Sequence, residues 1–429
     1  MRCGATVTPS TTEPDTPLPT RLLGYTVAAT LARLADEMVG ITVVLLVLAR
    51  TGNDTALAGA AVAGYTLPAV LTGPLLGAWL GHARRPKLAL AGNELLLALV
   101  AFTLVAVVGH VPGVVVVGLT ALAGLSLPMT SGGFSSLVPR LTHGTALSRA
   151  NTVDALTFNT AAMGGPAVGG VIASVFGAGT AVVVLGCCAL AAIAATLAIP
   201  VAPADRVTTE APALLATARA GLRHLAATPP LRGATVASVG SLGCVGMLVV
   251  ALPQRSFDLG VSRGDAGFLW AAVEVGCALA VVTVNPWLRR WRPERTVFVS
   301  VALYGLAVAS WALAGSFALI LALSVVAGFM VGPTLPAVFA SRQRYTPAPL
   351  LAQVSTTGAS LKIGGFAVGS AVSGVIVPVL GPTVVILLVA AGQLAAATLG
   401  WLAAATPAAE PARAAATRGR YKPLRRPRA

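Results

Sequence analysis

Charge is what this chain has least of. Only 10% of its 429 residues are Asp, Glu, Lys or Arg, and just 14 of those are acidic. A soluble domain carries about a quarter charged residues, so water is excluded as the main solvent. Cysteine is also sparse. Cys187, Cys188, Cys244 and Cys277 fall in apolar stretches and Cys3 lies near the start, which rules out a disulfide framework and shows no metal-ligand spacing. His82, His110, His143 and His224 are scattered, and no Gly-Lys-Ser/Thr phosphate loop occurs. Metal chemistry and direct nucleotide driving are therefore not expected, and no cofactor is implied. No apolar stretch precedes residue 22, so no cleavable signal is expected.

What is abundant is apolar sequence, at 56% of residues with a mean hydropathy of +0.84. Uncharged runs of about twenty residues, the length that crosses a hydrocarbon core as helix, recur with short gaps. Twelve are expected, near 22–48, 56–81, 88–109, 112–138, 150–175, 179–201, 234–254, 264–288, 296–315, 317–339, 352–378 and 381–405. The alternating short strands of a membrane barrel are absent. The fold class is thus an all-α membrane protein with 12 transmembrane helices.

The excess of base over acid, +15 in net charge, is placed by the membrane. Loops after even-numbered spans, together with both tails, hold 24 Lys and Arg, against three (Arg50, Arg255, Arg263) in the odd-numbered loops. By the positive-inside rule both termini are expected in the cytoplasm of a multi-pass inner (plasma) membrane protein. The basic tail at 406–429 then fixes orientation or touches anionic lipid; nucleic acid is not the expected partner. Residues 1–21 form a polar tail, 22–201 a first six-helix half, 202–233 a central loop with a basic amphipathic stretch from Leu214 to Leu225, and 234–405 a second six-helix half. Shifting the chain by 204 residues lays 147–173 on 351–377 with nine identities in 27, where about three are expected by accident. Two parallel six-helix pseudo-repeats follow.

Two glycine motifs stand out. After span 2 the sequence reads Gly73-Pro-Leu-Leu-Gly77-Ala-Trp-Leu-Gly81-His-Ala-Arg84-Arg85-Pro-Lys87, and span 5 carries Gly164-Gly165-Pro166-Ala-Val-Gly169-Gly170. Gly73, Gly77 and Gly81, Gly165 and Gly169, and Gly365, Gly369 and Ser373 in span 11 each form a small-residue stripe that lets helix backbones touch. With the six-plus-six arrangement, these motifs resemble the major facilitator superfamily over about residues 20–405. The span 5 motif is similar to the Gly-Pro-x-x-Gly-Gly signature of its proton-driven exporters. The resemblance implies that spans 2, 5, 8 and 11 form the seam between halves, so that the stripes fall where the halves rock. It also implies that Arg84 and Arg85 belong to a gating loop. The family's usual aspartate position is Gly81 here, so the gating role of that acid does not carry over.

Seven ionisable residues interrupt the spans: Arg33, Asp36, Glu37, Glu94, Asp154, Glu274 and Lys362. Each is costly facing lipid and so is expected to face the bundle interior. Arg33, Asp36 and Glu37 share one helix face at i, i+3 and i+4, so the arginine is expected to neutralise one acid and leave the other. Asp36, at mid-span, is the leading proton-coupling candidate, with Glu37 and Arg33 tuning it and Glu274, Lys362 and Asp154 behind it. Glu94 and Asp154, near the basic ends of their spans, are expected to pair with loop arginines. Glu274 and Lys362, both on seam helices, either pair or line the cavity. The reading is a monomeric secondary transporter, a proton-coupled antiporter for efflux of small amphipathic or hydrophobic compounds. Its rivals are an uptake permease for a nutrient, a non-transporting receptor and an intramembrane enzyme. The spans lack the nucleophile and base an enzyme needs, and the outer loops are too short for a receptor domain.

Overall fold

The structure is a computed structural model and describes residues 18–72, 76, 85–125, 127–142, 145–200, 214–288 and 290–406. Without water to satisfy backbone groups, an apolar chain in a bilayer must close its hydrogen bonds within helices, and no strand occurs among the described residues. Span 1 is Leu18–Arg50, span 3 Pro86–Val107, span 5 Thr145–Phe176, span 6 Ala178–Ala198, span 7 Pro229–Asp258, span 8 Ala266–Thr283 and span 9 Pro293–Trp311. Span 2 is Thr55–Thr72 and span 10 is Phe317–Tyr345. Span 4 runs Gly113–Gly124 and continues through a π-helical turn, Met129–Gly133. The helix Ala348–Ala405 is two spans, 11 and 12, broken at Gly381. Twelve spans are thus present among the described residues, with Leu214–Ala227 as a connecting helix between the halves.

Span ends carry local reasons. Gly52 and Asn53 take positive φ after span 1, and Asp54 caps span 2 by accepting the Leu57 N–H at 2.9 Å. Basic side chains close carbonyl ends, where the helix dipole favours cations. Lys87 donates to the Leu197 and Ile199 carbonyls at 3.1 and 2.7 Å, and Arg232 donates to those of Ala403 and Thr406 at 2.7 and 2.8 Å.

The repeat is visible in the backbone. Span 5 ends at Gly177 (φ 91°, ψ 155°), and span 11 at Gly381 (φ 77°, ψ 158°), which are 204 residues apart, as the internal alignment requires. The seam is formed by span 2 against span 11 and span 5 against span 8, as the resemblance implied.

Which glycines meet across that seam differs from the expectation. A Cβ on Gly165 would strike Glu37, and one on Gly169 would strike Thr42, both on span 1 of the same half. Gly369 likewise lies on Gly243, and the Ser373 hydroxyl donates to the Met247 carbonyl at 2.5 Å, both on span 7. The faces that cross between halves are rotated by one residue: Pro166 and Gly170 against Gly264 and Gly267, and Ser370 and Gly374 against Thr55 and Gly59. One residue turns a helix by about 100°, so adjacent glycines serve different neighbours. Gly365 also packs within its own half, against Val239 and Gly243. Gly73, Gly77, Gly81 and Arg84 lie outside the described residues, and Arg85 is an exposed residue just before span 3.

The halves are joined at one end. Thr55 donates to the Gly374 carbonyl at 2.8 Å, Gln254 to Asn53 at 2.7 Å and Ser174 to Asp265 at 3.0 Å, all on the face opposite the basic loops. Residues 41–48 of span 1 and 248–254 of span 7 are all buried there. Nearer the basic face, span 1 instead presents an open stripe, with Leu23 64% and Val27 45% exposed, ending at Glu37. The molecule is therefore closed at the face opposite the basic loops, with span 1 more exposed toward the basic one, where spans 2 and 11 still meet at Val70 and Gly364.

Candidate functional site

The interior polar groups form two distinct sets. The first is a closed knot tying spans 1, 4 and 5. Arg33, only 2% exposed, pairs with Asp154 at 2.7 Å. It also donates to the Asp154 carbonyl at 3.0 Å, to Ser135 at 3.1 Å and to Thr157, and it lies 3.5 Å over the Phe158 ring. Asp154 accepts further bonds from Tyr25 at 2.5 Å and Ser135 at 2.7 Å. A buried pair survives only when its remaining donors and acceptors are met, and here nearly all are. The expectation that Arg33 neutralises an acid on its own helix is thus corrected, as is the pairing of Asp154 with loop arginines. Asp36 lies within electrostatic range of Arg33 but takes its hydrogen bond from the Tyr65 hydroxyl of span 2.

The second set is acidic and runs from the core of the first half to an exposed glutamate. Glu37 is exposed although it sits mid-span, because it ends the open stripe of span 1. It lies in electrostatic range of Asp36 beside it and of Glu274 from the opposite half. Glu274 is seven residues beyond Gly267, two turns along the same face of span 8, which places it just below the glycine contact with span 5. Asn159, seven residues before Pro166, takes the corresponding position on span 5 and is exposed. Trp270, one turn from Glu274, packs against apolar clusters that draw on both halves. Asp36 in turn lies in range of Glu94. Glu94 is completely buried, and it accepts from Asn93 at 3.0 Å and from Thr130 at 3.5 Å, while its Oε2 has no hydrogen-bond partner among the described residues. No loop arginine pairs with it among the described residues, which corrects that expectation too. Four carboxylates, Glu94, Asp36, Glu37 and Glu274, therefore form one connected series from the core of the first half to the wall of the second.

A sequence model of the Major Facilitator Superfamily matches residues 25–254 and again residues 234–429. The chain belongs to the major facilitator superfamily. An uncharacterised facilitator-type transporter, y4rN of Sinorhizobium fredii, is 28% identical over 366 residues, covering 83% of this chain and 88% of that protein. The nucleoside transporter NupG superposes with a TM-score of 0.72 at 14% identity, over 90% of this chain and 99% of its own. A peptide-transporter-family structure with bound 5-aminolevulinic acid gives 0.67 at 12%, over 89% and 95%, and a bacterial homologue of human lysosomal Spinster, inward-facing and unoccupied, gives 0.66 at 14%, over 90% and 97%. At such identities the likeness is one of fold. As a facilitator, this chain is a secondary transporter of small molecules in a membrane, needs no cofactor and is not an enzyme.

Lys362, the remaining candidate, does not meet Glu274 in this facilitator. Its charged neighbour is Arg342, a like charge on span 10. Glu274 lies in electrostatic range of Glu37 instead, so the two residues belong to different surroundings. Sequence reasoning missed the tyrosines. Of the chain's five, Tyr25 serves Asp154, Tyr65 serves Asp36 and Tyr345 donates to Glu294 at 2.9 Å. Tyr304, only 2% exposed, lies in electrostatic range of Glu274. The available signal was a phenol inside an otherwise apolar span, which needs a polar partner there.

Proposed function

We propose that this facilitator is a proton-coupled exporter of small amphipathic compounds, working by alternating access with its basic face in the cytoplasm. What supports this reading is that Glu37 and Glu274, one carboxylate from each half, lie within electrostatic range of each other beside the seam, with no cation paired to either among the described residues. Two like charges on parts that move against one another change their interaction as the halves rock, so proton occupancy and conformation are linked. The same carboxylates accept either protons or a positively charged group of the cargo, and that competition is what antiport requires. Trp270 and Leu34, each about one turn from one of these carboxylates, supply apolar surface beside them. Glu37 replaces Asp36 as the first coupling candidate under this proposal, because Asp36 is held by Tyr65 inside one half.

The test uses purified protein in vesicles carrying a pH gradient, with cargo and proton fluxes both recorded. With the basic face outward, an acidic interior should drive compounds inward as protons leave. Glu37→Gln and Glu274→Gln should each keep downhill exchange and lose uphill accumulation, with Asp36→Asn less affected. Wild-type accumulation in both glutamate variants would sink the coupling assignment. Cargo and protons moving in the same direction would instead support the uptake-permease reading.

A further inference from the structure

Away from the acidic series, a cleft of about 580 Å³ opens at the basic face between the start of span 9 and the end of span 12. Arg290, Arg292 and Arg295 line it with Trp291, Trp401 and Val299, and Phe298 contributes to its wall. None of the three arginines makes an ion pair or a side-chain hydrogen bond among the described residues. The nearby acid, Glu294, is turned away and buried, accepting from Tyr345 at 2.9 Å. Arg292 also precedes the first turn of span 9 without capping it, so the positive end of a 19-residue helix adds to the same field. The cleft is thus a concentrated positive site whose arginines carry no ion pair among the described residues.

Its other wall is exposed and apolar. Trp291 is 40%, Val299 43% and Trp401 59% exposed, and Trp287, 57% exposed, stacks at a tilt with its ring centre 5.7 Å from that of Trp291. Three of the chain's six tryptophans therefore cluster at this one corner, at the depth where indole rings settle between headgroups and acyl chains. The matching corner of the first half, where span 3 begins beside the end of span 6, is built otherwise. There Lys87 spends its ammonium on the Leu197 and Ile199 carbonyls. The arginine and tryptophan cleft is therefore not something the fold needs in order to stand. The sequence beyond residue 405 has seven basic residues and one acid, Glu410, so it is the wrong sign to fill the site.

We propose that this cleft binds an anionic phospholipid of the adjoining leaflet, its phosphate among Arg290, Arg292 and Arg295 and its acyl chains along Val299 and Trp401. Guanidinium groups match phosphate oxygens in pairs, and an amphipathic indole wall suits the glycerol region below. A soluble anion would use the arginines alone, whereas a lipid uses both walls.

Trp291 and Trp401 make the test direct. Full-length protein is reconstituted in phosphatidylcholine vesicles containing a small, equal fraction of brominated phosphatidylglycerol or brominated phosphatidylcholine, and tryptophan quenching is compared. The anionic lipid should quench more than the zwitterionic one. Arg290→Gln, Arg292→Gln and Arg295→Gln should each lower apparent affinity for it about fivefold, and the triple variant about a hundredfold. Quenching by brominated phosphatidylcholine should stay unchanged in the triple variant, which reports an intact fold. Trp401→Phe should remove part of the excess. Equal quenching by the two lipids in the parent protein overturns the proposal, as does an excess that survives the triple substitution. Complete loss of the excess on adding inorganic phosphate also overturns it, since the site would then belong to a soluble anion.

Discussion

The closed face depends on two glycine contacts between halves, and enlarging them should shift the balance of conformations. A methyl on Gly170 would meet the Gly264 carbonyl and come within 3.0 Å of the Gly267 Cα. On Gly374 it would lie 2.5 Å from the Thr55 carbonyl oxygen and 3.0 Å from the Ala56 Cα. These partners are backbone on the opposite half and cannot turn aside, so the seam must open. Overpacking of this kind costs about 1–3 kcal/mol, which moves a two-state ratio by about 5- to 150-fold. The cost falls only on the state closed at that face, because the contact disappears when the face opens. A cysteine replacing Leu252, a residue with no exposure, in a background free of native cysteines, reports that opening through its reaction with an impermeant thiol reagent. When reclosing is faster than labelling, the rate follows the open population. Gly170→Ala and Gly374→Ala should each accelerate labelling about 5- to 150-fold. Gly165→Ala is the control: its methyl strikes Glu37 within the same half, so it should lower thermal stability without accelerating labelling. Labelling within twofold of the parent in Gly170→Ala, or an equal acceleration in Gly165→Ala, would refute the reasoning.

Other expectations follow from single features. Arg33→Gln strands Asp154 in the interior and should cost about 3–5 kcal/mol, read as a lower thermal midpoint; adding Asp154→Asn should recover a large part of it, and no recovery would mean that the pair is not what holds the knot. Gly381→Ala forces a side chain into a backbone region nearly reserved for glycine, so about 1–3 kcal/mol of stability should be lost, with Gly177→Ala matching it. For orientation, cysteines at His110 and Thr208 should be labelled from opposite sides, His110 by reagent added outside cells; the reverse pattern would place the basic face outside.

Much of this architecture was readable in advance because lipid imposes a coarse code. Twelve spans and the 204-residue repeat both survive in the structure, the repeat down to the paired breaks at Gly177 and Gly381. Spans 1 and 5 are among the more polar of the twelve, and both contribute to the Arg33 and Asp154 knot. Side-chain partners were less legible. Arg33 has acids three and four residues away, yet its ion pair is with Asp154, on another span far along the sequence. Local spacing tells who is near on one helix; it is silent about which neighbouring helix that face meets. The glycines chosen for the seam on spans 5 and 11 pack within their own halves for a related reason, since moving one residue along a helix points to another neighbour altogether.

The buried stretch of span 1 beyond Gly40 also has an electrical meaning. Residues 41–48 are all buried and span about 12 Å, a fraction of the roughly 30 Å hydrocarbon thickness. Where the open side admits water, the transmembrane potential falls mainly across the dry remainder. Glu37 stands at its edge. In this conformation a proton on Glu37 therefore sits near the potential of the basic side, and rocking that exposes the residue to the other face moves the dry layer past it. Proton transfer would then draw on close to the full voltage, about 2.3 kcal/mol per charge for each 100 mV, while the side chain itself hardly moves.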